Sequence, residues 1–160
     1  MFDYPIGPSD DSDERGQPAG ARNDEYLLPQ GSDSDWAILT KFTNNRRFRA
    51  GETVIAQGDT DRSLYIVTEG ELEAVLPQRR GYRQLALFET GSVIGELSFF
   101  DGAPRSALVR AVTDAELAML SPASFDTLAA AHPALARVIL FDLGRILAGR
   151  LRTAQAVSST

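Results

Sequence analysis

Short runs of apolar and β-branched residues punctuate the middle of this chain. They are Thr53 to Ala56, Ser63 to Thr68, Leu72 to Leu76, Gln84 to Phe88, Ala107 to Ala111 and Ala115 to Leu120. Turn residues separate them, at Ala50-Gly51, Gly58-Asp59, Glu69-Gly70 and Arg79-Arg80-Gly81. Adding the run from Asn44-Asn45 to Phe48 and the very short Val93-Ile94 gives roughly eight strands, with turns every six to twelve residues or so. Such spacing predicts an antiparallel sandwich or small barrel.

The period changes at both ends. Asp33 or Ser34 can cap a short helix whose Trp36, Ile38, Leu39 and Phe42 face a core. Ser121-Pro122 restarts helical character, with Ser121 as N-cap and Pro122 at the first helical position. Ser124 to Ala131 reads as one short helix, and Pro133 opens a longer one to about Leu151. On that last helix Leu135, Val138, Ile139, Leu140, Leu143, Ile146, Leu147 and Leu151 cover more than half the circumference. A helix needs a stripe of only about 100° to pack on one surface. One side is therefore expected against the barrel and another against a partner. The fold class is mainly β with flanking helices: an antiparallel, jelly-roll-like β-roll with an N-terminal helix, a short central helix and two C-terminal helices.

Composition narrows the chemistry. The chain has 160 residues, no cysteine and one histidine, His132. That excludes disulfides, thiol nucleophiles and Cys- or His-built metal clusters, and leaves a Ser-His-Asp triad without support. No metal site and no catalytic residue is expected. The apolar runs are too short for a membrane span and no signal pattern opens the chain, so the expectation is a cytoplasmic protein without a membrane partner.

Of the net charge of −6, residues 1–32 carry −5, with four of the eight prolines. The remainder is nearly neutral and has no dominant basic face, which argues against nucleic acid as a partner. The expected organisation is a disordered acidic tail over 1–32, a folded domain over 33–152 and a flexible C-terminus over 153–160. Within the tail, Tyr26-Leu27-Leu28 is the segment that could serve as an interaction peptide.

The stretch from Val93 to Ala107 carries the chemistry. A short strand ends at Gly95 and runs into one turn of helix, Asp101-Gly102 stops that turn, and Pro104 brings Arg105 back towards it. A helix N-terminus presents unpaired N–H groups to an anion. An arginine opposite would neutralise a phosphodiester through a forked pair, and Glu96 could accept a hydrogen bond from a sugar hydroxyl. One phosphate and one ribose are implied. Singly, each residue has a plainer role: Gly-Glu-Leu as an ordinary helix start, Arg105 as a solvated loop residue. Phe99 and Phe100 read as core aromatics, His132 as a surface or capping residue, and Arg79, Arg80 and Arg83 as a solvated hairpin edge.

Gly95-Glu96-Leu97-Ser98 and Pro104-Arg105-Ser106-Ala107 resemble, without insertion or deletion, the phosphate-binding cassette of the cyclic-nucleotide-binding domain family. That family spans cAMP-dependent kinase regulatory subunits, bacterial catabolite activators and nucleotide-gated channels. Gly51 to Asp59 and Leu64 to Glu71 are similar to its β-roll strands, and the resemblance runs from about Phe42 to Leu151. It implies a ligand, cAMP or cGMP, and no cofactor. It implies that Glu96 takes the ribose 2′-hydroxyl and Arg105 the exocyclic phosphate oxygens, that the backbone of Ser98 and Ser106 completes the cradle, and that Gly95 permits close approach. Leu97 and Ala107 belong to the same segments. Ser98 departs from the commoner alanine, and Ser106 stands where a hydroxyl can touch a guanine edge or a phosphate.

The leading expectation is a sensor of cAMP or cGMP that acts allosterically in trans through its C-terminal helices, by a homodimer or an effector protein. No helix-turn-helix is read after those helices, so a complete catabolite-activator-type transcription factor is not expected. The alternative is a ligand-free interaction module on the same fold.

Overall fold

The computed structural model describes residues 26–158. It contains eight strands: β1 (Asn44–Phe48), β2 (Thr53–Ile55), β3 (Leu64–Glu69), β4 (Leu72–Pro77), β5 (Tyr82–Phe88), β6 (Val93–Ile94), β7 (Leu108–Ala111) and β8 (Ala115–Leu120). Around them lie the helices α1 (Asp33–Lys41), α2 (Glu96–Asp101), α3 (Pro122–Ala131) and α4 (Pro133–Ser158). The strands form two four-stranded sheets, β1-β8-β3-β6 and β2-β7-β4-β5, paired antiparallel throughout. This is the expected β-roll with its helices.

Strand periodicity explains how one sheet serves two cores. On β3, Tyr65 and Val67 point into the space between the sheets with Leu72, Ile94, Val109 and Leu117. Leu64 and Ile66 point the other way, to a second core shared with Leu120 of β8 and with Leu128, Ile139, Leu143 and Ile146 of the helical layer. Both faces of β3 are thus dry from Leu64 to Val67, and its continuous apolar run reflects that. Between β3 and β4 the chain reverses at Gly70 (φ +88), where a Cβ would lie 2.3 Å from the Asp114 carbonyl oxygen. Only glycine fits there.

Three expectations are corrected. The cap of α1 is Ser32, whose hydroxyl accepts from the Asp35 N–H while the Asp35 carboxylate accepts from the Ser32 N–H, a reciprocal box one residue earlier than expected. Helix α4 runs to Ser158 instead of ending near Leu151, so residues 153–158 are helical rather than a flexible end. Finally, the acidic tail does not extend to residue 32. Leu27 and Leu28 are 1% and 2% exposed and belong to the helix-side core. Tyr26 bridges Ser92, and the Leu28 N–H donates to Asp142 Oδ2 at 3.0 Å. Two adjacent leucines removed from water outweigh the sparse composition of the segment that precedes them, and Leu28 even adopts φ 49 to stay buried. The rest of the acidic tail, 1–25, lies outside the described residues.

Among the described residues no helix is long and apolar enough to cross a membrane. Nor does any group of three or more His, Asp or Glu side chains converge there to hold a metal ion.

Candidate functional site: a cleft between the sheet, the short helix and the last helix

Strand β6 ends at Gly95, which takes φ +85 as N-cap of α2, and Gly102 (φ +71) ends that helix as expected. Arg105 then returns antiparallel to the Gly58-Asp59 turn, its N–H donating to the Asp59 carbonyl and its carbonyl accepting from the Gly58 N–H, both at 2.8 Å. These bonds fix the backbone from which the guanidinium extends. The result is a cleft of about 800 Å³, in which Gly95, Glu96, Leu97, Ser98, Arg105, Ser106 and Ala107 all take part. The residues singled out from sequence therefore share one concave surface. Its far walls come from Leu85 and Phe88 of β5 and from Arg150, Thr153 and Ala154 of α4.

Arg105 is 4% exposed. Its Nη2 donates to Asp61 Oδ2 at 3.1 Å and to the Ser63 carbonyl at 2.6 Å, and its Nη1 donates to the Gly95 carbonyl at 3.0 Å. The set of satisfied donors is incomplete, because Arg105 Nε is buried with no acceptor. An orphaned buried N–H costs about 1–3 kcal/mol. This arrangement rules out the plainer reading of Arg105 as a solvated loop residue: it is buried, and the carboxylate it holds is Asp61. Asp101 Oδ1 accepts the Ala103 N–H.

Gly95 is demanded by the same arginine. A Cβ there would sit 2.5 Å from Arg105 Nη1 and 2.9 Å from the Ser63 carbonyl oxygen, so the close approach that glycine permits here is that of the guanidinium. Ser98 is buried, whereas Ser106 and Leu97 are exposed at the mouth. Phe99 is a core residue edge-on to Phe125, but Phe100 is 42% exposed and does not join the core. Arg83 lines the cleft from the hairpin side, and His132 caps α3 and meets the Phe42 ring edge-on.

Glu96 is also buried, and its Oε1 accepts from Arg150 Nη1 at 2.7 Å. Arg150 Nη2 donates to the Val93 carbonyl at 2.7 Å, and its guanidinium lies 5.4 Å from the centre of the Phe88 ring. Two charged residues of the site, Asp61 and Arg150, were missed from sequence. For Asp61 no local pattern announced the role. Arg150 did leave a signal: Ile139, Leu143, Ile146 and Arg150 follow helical spacing, so the arginine continues the buried stripe of α4.

Burial raises the pKa of Asp61, but hydrogen bonds from Arg105 and from the backbone and hydroxyl of Ser63 outweigh it, and the net shift is below the ordinary 3.8. A depressed carboxylate stabilises the fold above its unfolded pKa, and that contribution is lost as pH falls through the folded value. Asp61→Asn is therefore expected to be less stable than wild type near neutral pH by about 1 kcal/mol, since the side chain is partly solvated. The gap should close below pH 3.8. Thermal melts of both proteins from pH 7 to pH 2.5 or so check this; a gap that stays constant with pH would contradict it.

Comparison with known proteins bears on the fold and on the family. The cyclic nucleotide-binding domain family profile matches residues 45–132. The cyclic AMP receptor protein of Thermus thermophilus is 33% identical over 118 residues, covering 73% of this chain and 53% of that protein. A lysophospholipase of Mycosarcoma maydis is 29% identical over 108 residues, which is 68% of this chain but 6% of the enzyme. The structure of a cyclic nucleotide-binding domain from Methylobacillus flagellatus superimposes with a TM-score of 0.74 at 26% identity, covering 86% of this chain and 79% of that one. The chain thus spans about half the length, or far less, of these curated relatives.

Proposed function

Because the chain belongs to the cyclic nucleotide-binding domain family, we propose that its cleft binds cAMP or cGMP and that occupancy is read out through α3 and α4. The observation that carries this reading is the buried, unpartnered Nε of Arg105 in a cleft that also presents a carboxylate. A phosphate oxygen supplies the missing acceptor, and a charge-assisted bond to it is stronger than a neutral one. Glu96 accepts the ribose 2′-hydroxyl, Ser98 and Ser106 contribute backbone N–H groups to the phosphate, and Gly95, Leu97 and Ala107 shape the floor. That a relative sharing 33% of its matched residues is a cyclic AMP receptor protein supports cAMP as the first ligand to test.

Signalling is a population shift. Contacts made better in one arrangement of the cassette pull it against the roll, and the helices after Leu120 follow. Output then passes to a second copy or to an effector protein. Helix α4 supports a homodimer, since Val138, Leu140, Phe141 and Leu151 remain 40%, 41%, 46% and 60% exposed on it. Sedimentation over a wide concentration range is expected to show reversible dimerisation. A strictly monomeric protein at high micromolar concentration, with and without nucleotide, would count against that route.

One observation favours the alternative of an interaction module without a nucleotide: Glu96 is already paired, with Arg150. Equilibrium titration with labelled cAMP and cGMP decides. Binding should be saturable, and the melting temperature should rise with nucleotide, by an amount equivalent to about 2.7 kcal/mol at one hundred times Kd. Absence of binding of either nucleotide at millimolar concentration would leave the interaction module as the reading.

A further inference from the structure

Arg150 stands 24% exposed and its partner Glu96 10% exposed, so their ion pair lies at the inner wall of the cleft. The pair presents a physical problem and its answer together. A phosphodiester brought beside a buried, ionised carboxylate is repelled by it. Arg105 cannot compensate both anions, because Asp61 already holds its Nη2 at 3.1 Å. The cation that compensates Glu96 is Arg150.

We propose that Arg150 is a positioning residue for nucleotide recognition: it holds Glu96 through Oε1, neutralises its charge and leaves the other carboxylate oxygen for the sugar hydroxyl. This rests on the cyclic-nucleotide reading above and adds to it a role for the last helix in the unliganded cleft. Three contacts hold the guanidinium in place, from Glu96 Oε1, the Val93 carbonyl and the face of Phe88. Its backbone is carried by the part of α4 that is held most firmly. Ile139, Leu143 and Ile146 are at most 1% exposed, Asp142 accepts the Leu28 N–H, and Arg145 Nη2 donates to the Tyr26 carbonyl. Beyond it, every residue from Leu151 to Ala156 is exposed. Arg150 is therefore the point at which the anchored part of α4 ends and the cleft begins.

The test uses the full chain, with cAMP and cGMP each titrated beside its 2′-deoxy counterpart, on wild type, Arg150→Ala and Arg150→Lys. A hydrogen bond to a charged group makes the 2′-hydroxyl worth about tenfold or more in wild-type affinity. In Arg150→Ala, affinity for the ribonucleotide should fall about tenfold, and the preference for it over the deoxy form should shrink to threefold or less, because Glu96 is no longer held. Arg150→Lys keeps the charge and should recover part of both. A general structural defect lowers affinity for both forms alike and leaves their ratio unchanged; that result overturns the proposal. So does tighter binding by Arg150→Ala, which would make Arg150 a competitor of the ligand. If wild type binds neither nucleotide, the underlying reading falls and this proposal with it. If wild type binds and the ratio is insensitive to Arg150, the proposal alone falls.

Discussion

Leu27→Ala combined with Leu28→Ala is expected to remove most of the stability of this domain. Both side chains are 2% exposed or less and pack in the helix-side core with Leu39, Val93 and Ile139. Truncating one such leucine typically costs about 2–5 kcal/mol, through lost transfer energy and the cavity left behind. The two are neighbours and their effects will not simply add. Even so, the pair approaches the 5–15 kcal/mol or so that holds a typical domain folded. The short segment also ties the helix layer to the roll: the Tyr26 hydroxyl reaches Glu89 at 2.5 Å, and the Leu28 N–H reaches Asp142 on α4. A chain beginning at residue 33 should be destabilised similarly. Urea unfolding of the double variant and of that truncation measures this. A midpoint within error of wild type would mean the two leucines contribute nothing to the core.

The second large effect is expected at Arg105. Arg105→Ala should weaken cyclic-nucleotide binding by about 2–5 kcal/mol, because the phosphate would lose a largely desolvated partner. That corresponds to roughly thirty-fold or more in affinity. A solvated loop arginine, the plain reading of Arg105 by itself, would leave the stability of the unliganded protein little changed. The structure reverses that expectation. Removing the guanidinium takes its donor from the Ser63 carbonyl, leaves the Gly95 carbonyl only the Phe99 N–H and leaves Asp61 without its cation, so stability without ligand should also fall, by about 1–3 kcal/mol. Loss of stability therefore does not by itself distinguish a sensor from a ligand-free module. The discriminating quantity is the ligand-induced shift: present in wild type and rising with nucleotide, absent in Arg105→Ala at the same concentrations. A mutant that retains the full shift would remove Arg105 from the binding site.

The succession of strands between residues 44 and 120, the two C-terminal helices and the Gly95–Ser98 and Arg105–Ala107 segments were legible in the amino-acid sequence, whereas the order of the strands in the two sheets was not. The signals involved are local. Glycine turns, strand-like apolar runs and a proline after a serine act over a few residues, and the cassette is one contiguous stretch whose parts need no distant partner to be recognised. What the tertiary structure alone decided is how those parts are paired. Asp61 meets Arg105 across 44 residues, and Leu28 meets Asp142 across 114. Arg150 reaches Glu96 from the last helix. An isolated acid before a strand, or two leucines after a polar, proline-containing stretch, has no period that marks it as buried. Burial is conferred by the element that packs over it, and that element lies elsewhere in the chain. Sequence thus determined the roll and the glycine- and arginine-bearing segment that lines its cleft. Packing determined that the arginine of that segment is held by an aspartate, and that its glutamate is held by the final helix.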